Sequence, residues 1–434
     1  MKKFNNWPTD YPDPNWFIHD RFGLFIHFGL FSVGARHEWF MTTEQVSLEE
    51  YSKKYFQHFN PDLFDADAWA KEAARCGVKY MVFTTKHHEG FALWDTKQTD
   101  YKITNTDFGR DLLAELLPAF RKVGIKIGLY HSLIDWRHEH FPLDGLHPER
   151  ENQKLREKNS ERDIKIYQRF LREQVKELLT EYGKIDYLWF DFSYSHRDWR
   201  WSKGKGHIDW DSEALEKLCL ELQPHLLLND RLDLGHGITT PEQFQPDKPL
   251  EKNGMPVIWE ACQTMYGTWG YDRDNMEWKS SEMLLKMLID TVSKNGNFLM
   301  NIGPNPRGII DTKTLERLHA IGDWMTLHKA SVIGCSYSAF EAPDDCRYTQ
   351  NGNKLYLHLF SYPYRNLHLK GLAGKVEFIR LLNDGSEIFY RGFDPDEVIT
   401  SAEAVIAPED LVITLPIIKP DVLIPVIEIT LKDE

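Results

Sequence analysis

Short apolar runs alternate with longer amphipathic stretches through the first three quarters of the chain. The clearest apolar run covers residues 185–192 (IDYLWFDF) and follows an amphipathic stretch that closes at Tyr182 and Gly183. Its length and composition are typical of a strand buried on both faces of a parallel sheet. Strands that alternate with helices over about 330 residues indicate helical crossovers. Comparable runs predict further strands at residues 22–29, 79–85, 125–132, 225–231, 256–260 and 297–304.

Nearly every predicted strand ends in a polar or ionisable side chain. A doubly wound sheet and a (β/α) barrel both fit the alternation, but no glycine-rich phosphate loop follows the first strand. Barrel enzymes assemble their sites from many strands at the carboxyl-terminal face. We therefore expect an α/β fold, a TIM-like (β/α) barrel, with seven strands evident in the sequence and closure at eight inferred. The strand-end residues are His27, His87, His88, Tyr130, His131, Asp191, Arg231, Glu260 and Asn301.

The pattern changes after Ser331. Short runs rich in β-branched and aromatic residues are separated by turn sequences such as Asn383-Asp384-Gly385. No helical periodicity interrupts these runs, so a second, all-β domain is predicted, with a sandwich as the expected architecture. The chain is thus divided into a catalytic barrel domain, residues 1–334, and a C-terminal β-sandwich domain, residues 335–434.

Composition limits the binding partners and the cellular compartment that we expect for the protein. Lys plus Arg number 52 and Asp plus Glu 66, a formal net charge of −14 that argues against nucleic acid or an anionic membrane surface as a partner. No segment approaches the roughly 18 uninterrupted apolar residues of a membrane span, and no apolar stretch follows the N-terminal lysines as in a signal peptide. Five scattered cysteines without a CxxC motif fit a reduced, cytoplasmic protein. The sequence leaves assembly into a homo-oligomer open.

Three functions fit a cluster of histidines beside Asp191. A metal-dependent hydrolase would use His27, His87, His88 and Asp191 as ligands. A glycosidase would use one carboxylate to attack the anomeric carbon, a second carboxyl to protonate the leaving oxygen, and neutral groups to bind hydroxyls. A non-catalytic sugar-binding protein is the third, although it gives a buried Asp191 no role. The lack of an HxH or HExxH pattern, together with several aromatic residues and Arg231, favours the glycosidase.

Several motifs taken together resemble the α-L-fucosidases of glycoside hydrolase family 29. They follow one another in order over roughly residues 10 to 330, and a β-sandwich after the barrel is also a feature of that family. The shared motifs are FIHFG at 25–29, EW at 38–39, TKHHEGF at 85–91, GLY at 128–130, WFD at 189–191, NDR at 229–231, WE at 259–260 and NGNFLMNIGP at 295–304.

The resemblance implies a retaining exo-glycosidase that removes terminal α-L-fucose from fucosylated oligosaccharides or glycoconjugates, without a metal or another cofactor. It also implies that Asp191 is the nucleophile and carries a covalent fucosyl-enzyme intermediate. Trp269 or Trp39 would pack against the C5 methyl group, and Trp189 would line the pocket. The remaining residues expected to contact the substrate are His27, Glu38, His87, His88, Tyr130, Arg231 and Glu260.

The general acid is not fixed by the resemblance, and three glutamates compete for the role. The acid should lie about 5–5.5 Å from the nucleophile. Glu38 precedes a sugar-binding Trp and is expected to orient a hydroxyl or a histidine. Glu260 closes the strand predicted at 256–260 and suits a structural partner for Arg231 or for a neighbouring donor. Glu242 lies in a loop eleven residues after Arg231, an offset that also occurs in the family. A loop position brings the acid to the leaving-group side, and we predict that Glu242 is the acid.

Overall fold

The computed structural model describes residues 4–394 and 406–433. Its strands are β1 Phe22–Ile26, β2 Tyr80–Lys86, β3 Lys126–Ser132, β4 Tyr187–Asp191, β5 Leu227–Leu228, β6 Glu251–Lys252, β7 Met255–Pro256, β8 Glu260–Thr264, β9 Asn297–Ile302, β10 Cys346–Asn351, β11 Lys354–Leu359, β12 Asn366–Leu369, β13 Val376–Leu381, β14 Phe389–Gly392, β15 Leu411–Thr414 and β16 Val426–Leu431. Its α-helices are α1 Asn15–Asp20, α2 Phe31–Gly34, α3 Phe40–Thr43, α4 Leu48–Tyr55, α5 Ala66–Cys76, α6 Leu112–Lys122, α7 Gln153–Glu157, α8 Ile164–Glu181, α9 His207–Trp210, α10 Ser212–Leu222, α11 Ser281–Ser293 and α12 Thr312–His328.

Seven strands form one parallel sheet in the spatial order β5-β4-β3-β2-β1-β9-β8. Its outer strands, β5 and β8, are joined through the segment at residues 238–242. This segment makes parallel bridges to Asn229 on one side and to Trp259 and Cys262 on the other. It therefore occupies the eighth strand position, and the sheet closes into a barrel. The predicted TIM-like fold is confirmed, and the predicted closure at eight is achieved by a segment that the hydrophobic pattern did not reveal.

Hydrogen bonds on both sides hold this short closing segment. Glu260 N donates to Thr239 O at 2.8 Å, which connects the segment to β8. Asn6 crosses beneath it, and its Nδ2 donates to Gly237 O and Ile258 O, both at 2.8 Å. A buried side-chain amide that satisfies several backbone groups replaces the ladder bonds that a longer strand would make. The N-terminal segment thus stabilises the barrel at its weakest seam.

The barrel strands are apolar because both of their faces are covered. Every residue of β1, β2 and β9 is buried. The surrounding helices begin and end at residues suited to those positions. Asp65 accepts from Ala68 N at 2.9 Å at the start of α5, and Gly77, with a φ of 90°, ends that helix. These local signals fix where each crossover turns back, and so they place the carboxyl ends of all parallel strands at one face.

The C-terminal strands form two antiparallel sheets. One has the order β10-β11-β16-β13 and the other the order β12-β15-β14. Side chains of both sheets share one apolar core, including Leu357 of β11 and Ile413 of β15, so the predicted β-sandwich is confirmed. Trp324 of α12 donates to Ile424 O at 2.7 Å and connects barrel to sandwich. The sheet type changes between β9 and β10, and the exact division at residues 334 and 335 stays a prediction.

The strand predicted at residues 256–260 is displaced. Pro256 belongs to a small hairpin of β6 and β7, and β8 begins at Glu260, where the predicted strand ended. The pattern was misleading because Val257, Ile258 and Trp259 are buried without forming a continuous ladder; of these three, Trp259 makes a bridge, to Thr239. Glu260 consequently lies at the amino-terminal end of a strand, which decides its position in the barrel.

Two further features concern membrane-spanning helices and disulfide bonds. Within residues 4–394 and 406–433, no helix combines the length and the apolar character needed to cross a membrane. All five cysteines are buried, and none of them forms a disulfide.

Candidate active site

A narrow cavity opens at the carboxyl-terminal face of the barrel. Aromatic rings and ionisable groups alternate around the wall. The lining residues are Phe25, His27, Trp39, His87, Tyr130, Trp189, Asp191, Phe192, Glu242, Cys262 and Trp269.

Asp191 is the last residue of β4, and its carboxylate faces this cavity. Tyr130 Oη donates to Oδ2 at 2.8 Å, and Arg231 Nη1 donates to Oδ1 at 3.1 Å. Burial raises the pKa of Asp191 from its ordinary 3.8 to about 6, opposed by the positive charge of Arg231 and assisted by the negative charge of Glu242. The side chain keeps 14% of its surface exposed, so it is accessible to a ligand.

Arg231 lies between the two predicted catalytic carboxyls. Its Nη1 contacts Asp191, and its Nη2 donates to Glu242 Oε2 at 3.1 Å. The guanidinium is itself fixed, because Nε donates to Thr240 Oγ1 at 2.9 Å and the group stacks 4.9 Å above the ring centre of Trp189. The two carboxyls are therefore neighbours on one guanidinium, an arrangement suited to the short separation found in retaining glycosidases.

Glu242 ends the segment that closes the barrel. It makes a parallel bridge with Cys262, so it lies at a strand end and not in the free loop that the sequence suggested. Its side chain is 42% exposed, the larger accessibility of the two carboxyls. A carboxyl at the mouth can reach the oxygen of a leaving group, whereas Asp191 can reach a sugar ring inside the pocket.

His27 is fixed in one tautomer by its neighbours. Its Nδ1 lies 2.6 Å from Asn301 Oδ1, and Asn301 Nδ2 donates to Trp269 O at 2.7 Å. A carbonyl oxygen can only accept, so the amide of Asn301 has one orientation and its oxygen accepts from His27. Burial, followed by the neighbouring His87, lowers the pKa of His27 well below its ordinary value. The neutral ring therefore carries its proton on Nδ1, and Nε2 is the nitrogen that accepts.

The same reasoning applies to His88. Its Nδ1 lies 2.6 Å from Ser132 Oγ, and that hydroxyl donates its own proton to Ile134 O at 2.8 Å. Ser132 must then accept from His88, and Nε2 again has the lone pair. Burial, assisted by His87 and His27, lowers the pKa of His88 well below its ordinary value. Its Nε2 lies 3.8 Å from Asp191 Oδ2 and, within residues 4–394 and 406–433, is buried without a hydrogen-bond partner.

Glu38 supports the aromatic part of the wall. Its Oε2 accepts from Trp269 N at 3.0 Å and from Gly270 N at 2.9 Å. These two bonds hold the loop that brings the Trp269 ring to 5.3 Å from the ring of His27. Glu38 thus positions an aromatic residue, whereas the sequence had predicted that it orients a hydroxyl or a histidine. Its assignment as a substrate contact stays a prediction.

The prediction that Glu260 contacts the substrate is wrong. Glu260 is fully buried, and both of its oxygens accept from side chains inside the barrel: the hydroxyl of Tyr80, Tyr187 Oη at 3.3 Å and Trp189 Nε1 at 3.2 Å. Arg231, its suggested partner, contacts Asp191 and Glu242 instead. The error follows from the displaced strand, because a residue that begins β8 faces the layer below the pocket.

The described residues contain no group of three or more His, Cys, Asp or Glu side chains with the geometry of a metal site. His27 and His88 each use Nδ1 to hold a neighbouring polar group. The alternative of a metal-dependent hydrolase is therefore not favoured.

Four residues of this region were not singled out individually as candidates from the sequence. Phe25 was part of a quoted motif, as was Glu89, which lies 3.4 Å from His87. Phe192 follows Asp191 with a φ of 93°, a strained value that turns its ring into the wall. Cys262 lines the cavity from β8. Neither backbone strain nor the inward face of a displaced strand can be read from the hydrophobic pattern.

Comparison of the sequence with protein families identifies related enzymes. The model of the family described as "Alpha-L-fucosidase" matches residues 3–330. The chain is 29% identical to the α-L-fucosidase of Dictyostelium discoideum over 75% of this chain and 72% of that protein. It is 31% identical to the tissue α-L-fucosidase of Mus musculus over 74% of this chain and 71% of that protein.

Solved structures give the same result. α-L-Fucosidase isoenzyme 1 from Paenibacillus thiaminolyticus is 41% identical, with a TM-score of 0.89 over 97% of this chain and 99% of that one. An α-L-fucosidase from Bacteroides thetaiotaomicron, described as a trapped covalent intermediate with 2-fluoro-fucosyl fluoride, is 27% identical, with a TM-score of 0.82 and complete coverage of both chains.

Proposed function

The chain belongs to the α-L-fucosidase family, glycoside hydrolase family 29, and we propose that it is a retaining exo-glycosidase that hydrolyses terminal α-L-fucosyl linkages. Asp191 is the nucleophile, and Glu242 is the general acid and base. One observation carries this proposal: Arg231 contacts both carboxyls at 3.1 Å.

Arg231 contacts both groups between which negative charge moves during the first step. Asp191, ionised, attacks the anomeric carbon and becomes a neutral ester, while Glu242 gives its proton to the leaving oxygen and becomes ionised. One negative charge thus passes from one carboxyl to the other. Arg231 touches both positions, so it stabilises this charge throughout without having to move.

The second step reverses these roles. Glu242, now ionised, removes a proton from water, and the water attacks the anomeric carbon of the fucosyl ester. Asp191 departs as a carboxylate, and two inversions give net retention. The trapped covalent intermediate of the related Bacteroides enzyme supports this route.

Neutral imidazoles and aromatic rings recognise the sugar. His27 and His88 offer unprotonated Nε2 atoms, each able to accept from a sugar hydroxyl, while Tyr130 is placed to align the nucleophile. Trp39 and Trp269 lie in the same wall and suit the C5 methyl group of a 6-deoxy sugar, because apolar contact excludes water there. Substrates are fucosylated oligosaccharides or glycoconjugates.

Release of nitrophenol from aryl glycosides tests this function. We expect turnover of the α-L-fucoside and little or none of the β-L-fucoside, which differs in anomeric configuration, or of the α-L-galactoside, which has a hydroxymethyl group in place of the methyl group at C5. Activity that persists with a chelator agrees with the proposal. Loss of activity that a divalent metal restores would favour a metal-dependent hydrolase, and fucose binding without turnover would favour a sugar-binding protein.

A further inference from the structure

A tight turn follows β2 and carries three consecutive ionisable residues, His87, His88 and Glu89, before Gly90. Gly90 N donates to His87 O at 3.1 Å and closes the turn. Gly90 has a φ of 82°, and a side chain there would collide with Asp135, so glycine is required. The turn brings Glu89, two residues after His87, back against the His87 ring.

Glu89 is a buried carboxylate with one close partner. It is 3% exposed, and its Oε2 lies 3.4 Å from His87 Nδ1. Among the residues that the structure describes, no hydrogen-bond partner is found for His87 Nδ1 or for Glu89 Oε1. A buried carboxylate without a donor is costly, so this pair has reason to associate. Hydrogen bonds in free enzymes are often long and shorten in the substrate complex.

We infer that Glu89 is a positioning residue that accepts the Nδ1 proton of His87 and so directs His87 Nε2 at a sugar hydroxyl. This inference rests on the proposed fucosidase function, because it concerns the same pocket. A carboxylate can only accept, so the neutral His87 ring must carry its proton on Nδ1. Its Nε2 is then the lone-pair nitrogen at the cavity wall, where the ring stacks on Tyr130 at 5.7 Å.

With Glu89 in this role, His27, His87 and His88 share one arrangement, in which each Nδ1 proton is held by a neighbouring acceptor. His27 gives its Nδ1 proton to an amide and His88 gives its own to a hydroxyl, as described above. Glu89 supplies the third acceptor, a carboxylate. Each imidazole then presents a fixed acceptor, and a sugar with three hydroxyl donors fits where a sugar lacking one leaves a buried nitrogen unpaired.

The test compares an aryl α-L-fucoside with its 2-, 3- and 4-deoxy analogues in wild type and in Glu89→Ala. We expect Glu89→Ala to lower kcat/KM for the parent substrate by about 10–100-fold, the size of effect expected when a buried polar group loses its hydrogen-bond partner. With one deoxy substrate, the one without the hydroxyl that binds His87, this factor should shrink to about threefold or less, because the two changes remove the same interaction.

Glu89→Gln keeps an acceptor oxygen and should recover part of the loss, and it replaces Glu89→Ala in the comparison if that variant does not fold. Glu177→Gln is the matched control. Glu177 is a buried carboxylate that accepts from Trp94 and Thr96 and does not line the cavity, so its loss factor should be the same for all four substrates.

Two results would overturn the inference. One is a loss below twofold in Glu89→Ala for the parent substrate, and the other is a loss of equal size for all four substrates. In either case wild-type turnover of the fucoside leaves the proposed function standing. A wild-type protein that neither binds fucose nor hydrolyses the fucoside would instead overturn the function itself.

Discussion

Asp191 and Glu260 are two carboxylates on strands of one barrel, one partly and one fully buried, and they lie at different levels along the barrel axis. Asp191 is the last residue of β4 and opens into the cavity, whereas Glu260 is the first residue of β8 and lies in the layer beneath. Trp189 lies between these levels, with its ring in the pocket wall and its Nε1 donating to Glu260. The position along a strand therefore separates a reactive group from a structural one.

The shifts in pKa do not distinguish Asp191 from Glu260. Burial raises the pKa of both groups, to about 6 for Asp191 and about 7 for Glu260. The two carboxylates differ in their interaction partners and in their access to the cavity. Asp191 has an ion pair with Arg231 and surface open to a ligand, while the oxygens of Glu260 are occupied by neutral donors. A shifted pKa identifies a buried group, and access to the cavity identifies a catalytic one.

Removal of the nucleophile should have the largest effect on activity. Asp191→Gly should lose about 10⁴-fold or more in kcat, as expected when a covalent nucleophile is deleted. Azide can enter the space and attack the anomeric carbon once, which gives fucosyl azide of inverted configuration. Product analysis by NMR checks this outcome. A variant that retains a tenth of wild-type activity would remove Asp191 from the role.

Glu242→Ala should produce the next largest effect, and its size should depend on the leaving group. Hydrolysis of natural fucosides should fall by about 10²–10⁴-fold, because an alcohol needs protonation to leave. Fucosylation by a substrate with an acidic phenol should be largely preserved, and azide should speed the second step and give the retained azide. Rates for a series of leaving groups test this. The assignment would move elsewhere if the variant behaved like wild type.

Glu260→Gln should change stability and spare catalysis. Below about pH 4.5 both the folded and the unfolded state hold the Glu260 proton. Between its ordinary pKa of 4.5 and about 7 only the unfolded state releases it, so the free energy of unfolding falls as pH rises, by about 3 kcal/mol in total. The variant should lack this decrease while keeping most of its activity. Denaturant unfolding across this pH range provides the measurement.

Asp191→Asn is the variant that matches Glu260→Gln. In Asp191→Asn the corresponding decrease between the ordinary pKa of 3.8 and about 6 should be absent as well, but hydrolysis should be lost. A stability difference between wild type and Glu260→Gln that is independent of pH would show that folding does not shift the pKa of Glu260. Loss of activity in Glu260→Gln comparable to that of Asp191→Asn would end the distinction between the two carboxylates.

The smallest expected effect concerns the acid limb of the pH profile. Only ionised Asp191 can attack, so kcat/KM should rise with pH through a midpoint at about 6 in wild type. Tyr130 donates to Asp191 and lowers its pKa. Tyr130→Phe should therefore move the midpoint to higher pH, so that the variant loses more activity near pH 5 than near pH 8. An unchanged or lowered midpoint would contradict the role of this hydrogen bond.

The residues at the strand ends were largely predictable. Parallel strands joined by right-handed crossovers bring their carboxyl ends to one face. This rule applies wherever a strand is marked by a continuous apolar run. His27, His87 and Asp191 each follow or end such a run, and the structure brings all three to one cavity. The motif resemblance named the same residues independently.

By itself the sequence determined the barrel, the sandwich and the pocket residues borne on clear strands, because local hydrophobic period and turn chemistry act over a few residues. Tertiary structure alone decided that residues 238–242 close the barrel and that Glu260 lies below the pocket. It also decided which ring nitrogens of His27 and His88 carry a proton. These features depend on contacts between segments far apart in the chain, where one hydrogen-bond partner fixes what the local pattern leaves open.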